Sequence, residues 1–145
     1  MIKIICLGKL KENYLNDLVA DYLKRINKYH KIELIELKDE DNLENEARNI
    51  KKHIGPNDFV VTLEINGKNY TSEEFADFID KTFIKTGTIT FIIGSSTGIH
   101  ESIKNISNLA LSFSKFTFPH GLFRGILLEQ IYRAFKINNN ETYHK

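Results

Sequence analysis

The 145 residues are 41% hydrophobic and 27% charged, the proportions of an ordinary soluble globule with one core of its own, so a single domain over residues 1–145 is expected. No apolar stretch is long enough to span a bilayer and the opening "MIKIICLGK" lacks a signal-peptide layout, so no membrane partner and a cytoplasmic location are expected. The net charge of +1 is unevenly spread: residues 1–31 hold seven Lys/Arg against three acids, residues 32–114 eight against fourteen, and residues 115–145 five against two. Those basic ends permit a local anionic partner, but no stripe of the kind that non-specific nucleic-acid binding needs is present.

In chain order, Ile2–Leu7 is a short apolar run and reads as a strand. Its Cys6 is the one cysteine and reads as a small core residue. Leu15, Leu18, Val19, Tyr22, Leu23 and Ile26 recur at helical spacing. Ile32–Leu37 alternates with Glu33 and Glu36 as a second strand. Leu43, Ala47, Ile50 and Ile54 suggest a helix closed by Gly55-Pro56. Phe59–Leu63 is β-branched and nearly continuous, the pattern of a strand buried on both faces. Thr71 and Glu74 form a capping box for a helix carrying Phe75, Phe78, Ile79 and Phe83. Thr88–Ile93 is another buried strand. A short helix near Glu101–Ile106, a strand near Leu109–Phe113 and a final helix from Leu122 to Ile137 follow, ahead of a polar tail. Strands alternating with helices predict an α/β fold built on a parallel sheet. The final helix is apolar around most of its circumference, which predicts cover on a second side, by a partner subunit or by deep burial within the chain.

Gly94-Ser95-Ser96-Thr97-Gly98 matches the nucleophile-elbow pattern G-x-S-x-G after a strand. Ser96 with Glu129 or Glu141 and His144 even keeps the order nucleophile, acid, base. The chain is short for an α/β-hydrolase, however, and nothing resembles an HGGG-type oxyanion loop. Neither G-x-x-x-x-G-K-[ST] nor G-x-G-x-x-G occurs. His30, His53 and His100 have no metal-ligand spacing, and no metal site is expected. Open α/β sheets instead bind ligands beyond the carboxyl ends of their strands. Leu63, the loop Gly94–Gly98 and the segment "FSKFTFPHG" lie at three such ends. That segment interleaves Phe113, Phe116 and Phe118 with Ser114, Lys115 and Thr117, which suits a flat heterocycle and equally an edge strand.

The segments "IKIICLGKLKENY", "VVTLEINGK", "LSFSKFTFPH", "LLEQIYRAFKI" and the terminal "YHK" together resemble the large-subunit (23S) rRNA pseudouridine N3-methyltransferase family, of the SPOUT class. The resemblance runs the length of the chain. It implies a parallel α/β fold with a C-terminal trefoil knot, a homodimer, S-adenosylmethionine as cofactor, and a pseudouridine of large-subunit rRNA as substrate; the low net charge fits a protein that acts on the assembled ribosome, with naked rRNA the alternative. The cofactor contacts it implies fall on Leu63, Gly94, Phe113, Ser114, Lys115, Phe116, Thr117 and Phe118. It gives Gly94 and Gly98 to the cofactor rather than Ser96 to a hydrolase. Ser95 departs from the second glycine usual in the family, and the segment after the second strand is shorter than usual.

The matching Arg124 opens the final helix, where it can grip an RNA phosphate or make an ion pair. His120 either packs beside Pro119 or lines the substrate pocket. Tyr143 and His144 match a functional tail, with His144 as proton acceptor. The readings of other classes are a non-catalytic ribosome- or RNA-binding module on the same scaffold, and the serine hydrolase.

Overall fold

The computed structural model describes residues 1–145 as ten alternating elements. They are β1 (Ile2–Leu7), α1 (Asn13–Asn27), β2 (Ile32–Leu37), α2 (Leu43–Lys51), β3 (Phe59–Asn69), α3 (Ser72–Lys85), β4 (Ile89–Ile93), α4 (Glu101–Ile106), β5 (Leu109–Ser112) and α5 (His120–Asn138). The five strands form one parallel sheet in the order β2-β1-β4-β3-β5. Parallel strands need crossover helices, and these cover both faces.

The strand alternation sorts side chains between two cores. Ile2, Ile4 and Cys6 of β1 point into the larger one with Phe91, Leu127 and Ile131. Ile5 and Leu7 point the other way, into a smaller one with Ala47, Ile50 and Ile103 from α2 and α4. Each fully buried isoleucine contributes about 1.5–3 kcal/mol relative to exposure. That is why β1 and β4 read as continuous apolar runs.

α5 lies against both α1 and α3. Leu127, Leu128 and Ile131 are wholly inaccessible and Phe135 nearly so. The second cover expected for this helix therefore comes from its own chain, and its apolar circumference is no evidence of a partner. The close fit to α1 needs Gly125, because a Cβ there would stand 2.4 Å from Leu18 Cδ2. The capping box on α3 is present as expected: Thr71 Oγ1 accepts from Glu74 N and Glu74 Oε1 from Thr71 N.

β3 runs six residues beyond Leu63, the end expected from its apolar pattern. Leu63 and Lys68 both pair with Leu111 of β5, so residues 64–67 bulge out of the ladder between them. This bulge becomes one wall of the site.

Candidate active site

The carboxyl ends of β3, β4 and β5 enclose a cavity of about 500 Å³. Three segments build it: the β3 bulge, the loop after β4, and the segment joining β5 to α5. Leu63, Gly94, Phe113, Ser114, Phe116, Thr117 and Phe118 all line it. Lys115 is exposed and lies outside the lining. Phe123 gives the cavity an aromatic wall, with Phe113 edge-on at 5.2 Å and Phe118 stacked at 6.1 Å between ring centroids. Phe116 is 79% exposed at the mouth. The turn between these rings is held locally: Ser112 Oγ donates to Ser114 O (3.1 Å), and Ser114 Oγ accepts from Phe116 N (3.0 Å).

Gly94 matters for a reason other than open access to a ligand. A Cβ on it would lie 2.6 Å from both Gly98 O and Ile99 Cγ1, so the glycine lets the loop close on itself. Gly98 has open space around it but φ of +96°, a conformation that disfavours any side chain. Ser95, the departure from the family pattern, donates its hydroxyl to Glu46 Oε1 at 2.9 Å. Glu46 sits on α2 only 3% exposed, its other oxygen taken by Glu40 N. Ser96 is exposed and bonds to neither a histidine nor a carboxylate, so the hydrolase constellation is not assembled.

His120 lines the cavity, and its Nε2 donates to Leu7 O at 2.8 Å. Arg124, one turn further along α5, is only 1% exposed. Its guanidinium bonds Glu36 Oε2 (2.6 Å), Gly8 O (2.6 Å) and Leu7 O (3.0 Å), while Nε has no partner. Of the two readings of Arg124 the ion pair is the one formed. The side chain ties the first turn of α5 to the ends of β1 and β2, and no phosphate can reach it in this arrangement.

The tail is docked rather than frayed. Tyr143 donates to Glu129 Oε2 (2.8 Å), accepts from Tyr22 (3.3 Å), and packs edge-on against Tyr132. Burial, then the bonds to Tyr22 and Glu129, push its phenol above the ordinary value of 10, so Tyr143 stays protonated. His144 has both ring nitrogens engaged, Nδ1 by Arg133 at 3.0 Å and Nε2 by Glu73 at 2.5 Å. Arginine only donates, so Nδ1 accepts and the proton sits on Nε2, facing the carboxylate. That hydrogen bond holds the Glu73 carboxyl below its ordinary value. Arg133 lies ten positions after Phe123, the last residue of α5 in the lining, about 15 Å along the helix at 1.5 Å per residue. His144 bonds to none of the residues that line the cavity of its own chain.

The lining also contains Glu64, Ile65 and Asn66 of the bulge and Lys104 of α4, which the sequence did not single out. "INGK" looks like a turn after a finished strand, and nothing in its composition announces that β3 resumes.

The chain is similar to known proteins along its whole length. A family model described as "Predicted SPOUT methyltransferase" matches residues 1–144. The putative ribosomal RNA large subunit methyltransferase H of Methanococcus maripaludis is 50% identical over 157 aligned positions, covering 99% of each chain. The ribosomal RNA large subunit methyltransferase H of Caldicellulosiruptor saccharolyticus is 46% identical and covers all of both chains. Among solved structures, a probable methylase family protein of Haemophilus influenzae superposes with a TM-score of 0.59 at 14% identity, over 99% of this chain and 70% of that one. The SpoU methyltransferase AviRb of Streptomyces viridochromogenes, in complex with AdoMet, gives 0.52 at 8% identity, over 96% and 58%.

Proposed function

Because the chain belongs to the SPOUT methyltransferase family, we propose that it methylates N3 of a pseudouridine in 23S ribosomal RNA of the large subunit, using S-adenosylmethionine. The observation that carries this reading is the cavity itself. Seven of the eight residues that the family resemblance assigns to the cofactor line one space at the carboxyl ends of three strands. Its volume and its aromatic wall suit a ligand with a purine ring. Leu63, Phe113, Ser114, Phe116, Thr117 and Phe118 would hold the purine and ribose, with Gly94 keeping the adjoining loop closed. The AdoMet complex of AviRb and the rRNA methyltransferase names of relatives near 50% identity support the same cofactor and substrate class.

Bound S-adenosylmethionine supplies a sulfonium methyl that is already strongly electrophilic. The protein's task is then to align N3 with it and to take the N3 proton as the N–C bond forms. His144 is the proton acceptor in this reading. Its present partners, Arg133 and Glu73, occupy both ring nitrogens, so the tail must leave its docking before it acts. Since Arg133, to which the tail docks, lies about 15 Å along α5 from the nearest lining residue of that helix, the tail of one subunit closes over the cavity of the other in a homodimer, and the C-terminal part is knotted as elsewhere in the class. Arg124 acts by holding His120 and the first turn of α5 at the rim.

The direct test is transfer of labelled methyl from S-adenosylmethionine to ribosomes lacking this modification. Incorporation into 23S rRNA at a pseudouridine is expected, and its absence from both ribosomes and naked rRNA would remove the proposal.

A further inference from the structure

The cavity is electrically asymmetric. Its lining holds one carboxylate, Glu64, and one ammonium, Lys104, and no other acidic, lysine or arginine side chain. Glu64 is aimed by its neighbours: Thr62, fully buried in β3, donates its hydroxyl to Oε2 at 2.7 Å and is itself 2.9 Å from the hydroxyl of Ser107. Lys104 Nζ stands 3.6 Å from Glu64 Oε1, too far for a hydrogen bond. Oε1 and Nζ therefore make no direct hydrogen bond to the protein, and both side chains remain open to solvent, 21% and 42% exposed, and so to a ligand in the cavity. An exposed pair so loosely made adds little to stability. A group with one positive and one negative charge would satisfy both at once, each through a charge-assisted hydrogen bond.

We propose that Glu64 and Lys104 form the subsite for a zwitterionic α-amino-acid head, Glu64 accepting from its ammonium and Lys104 donating to its carboxylate, while the heterocycle lies against the phenylalanines. This deepens the S-adenosylmethionine reading and rests on it. The pair thereby sets selectivity for ligands that carry the amino-acid chain over nucleosides that lack it.

The test compares two ligands that share the thioether nucleoside and differ in the head. S-adenosylhomocysteine carries it and 5′-methylthioadenosine does not, and neither has a sulfonium charge to confuse the result. Calorimetric titration of the full-length protein should show Glu64→Gln and Lys104→Met each weakening S-adenosylhomocysteine by at least about tenfold, the low end for a charged hydrogen bond. 5′-Methylthioadenosine should bind both variants within about twofold of the unaltered chain. Equal losses for the two ligands would overturn the proposal and place the pair on the shared ribose; no loss for either would overturn it outright. If the unaltered protein bound neither ligand, the cofactor reading itself would fail. Thermal melts without ligand check that the variants fold, and Glu64→Asp, which keeps the charge on a shorter arm, should recover part of the S-adenosylhomocysteine affinity.

Discussion

A single added methyl tests whether the loop after β4 belongs to the cofactor site. Gly94→Ala places a Cβ 2.6 Å from Gly98 O, backbone that cannot step aside as a flexible side chain would, so the loop must shift at the cavity wall. The rise in melting temperature caused by S-adenosylmethionine, a mass-action effect of binding the native state, should disappear in this variant. It should persist in Ser96→Ala, whose hydroxyl bonds to no catalytic partner; a serine-directed phosphonate labelling Ser96 would argue the opposite. Arg124→Met should cost about 3 kcal/mol in urea unfolding, the low end for breaking a buried ion pair. Glu36 is 35% exposed and can recover water, whereas Gly8 O loses the 2.6 Å donor. The residue type and family position of Arg124 were legible in the sequence, but its burial was not, because its carbonyl and carboxylate partners lie more than eighty positions away.

At the scale of elements, every strand and helix expected from periodicity is present, because local patterning and the parallel sheet make the same demand on each segment. The errors come where the partner of a pattern is distant. Apolar residues all around α5 say that it is covered, not by what, and α1 and α3 do the covering. The extent of β3 depends on a bulge that exists only because β5 pairs on both sides of it. The far end of the sheet carries a pH-dependent tie of the same long-range kind. Burial raises the Asp58 carboxyl, but bonds from Lys3, Gly55 N and Thr90 outweigh that and hold it below the ordinary 3.8. A depressed carboxyl contributes stability that is complete above its unfolded value and is lost as pH falls through the folded one. The acid limb of the stability curve, below about pH 4, should therefore be shallower in Asp58→Asn, which is also less stable at neutral pH. A variant with an unchanged acid limb would show that the tie between β1, β3 and β4 contributes nothing there.

For the whole molecule, the tail docks on α5 and α3 rather than on the cavity lining of its own chain. If His144 of one subunit takes the N3 proton at the cavity of the other, as proposed, the protein is a dimer whose two sites are each built from two subunits, and sedimentation should give twice the 16.8 kDa chain mass. Removing Tyr143–Lys145 uncovers Tyr132 and should lower stability modestly while leaving S-adenosylmethionine affinity intact. Methyl transfer should drop at least about tenfold, the low side of acid–base contributions. Mixing gives the sharper result. The tail-deleted chain has an intact cavity and no tail; the Gly94→Ala chain has an intact tail and a disturbed cavity. Neither homodimer should methylate ribosomes well. Co-refolded in equal amounts, half of the dimers are mixed, and in each of these the tail of one chain meets the sound cavity of the other. About a quarter of the normal number of sites is then complete, and activity should return to about that fraction. A tail that served its own cavity would find no sound cavity in any of these dimers, and the mixture would be no more active than its parts.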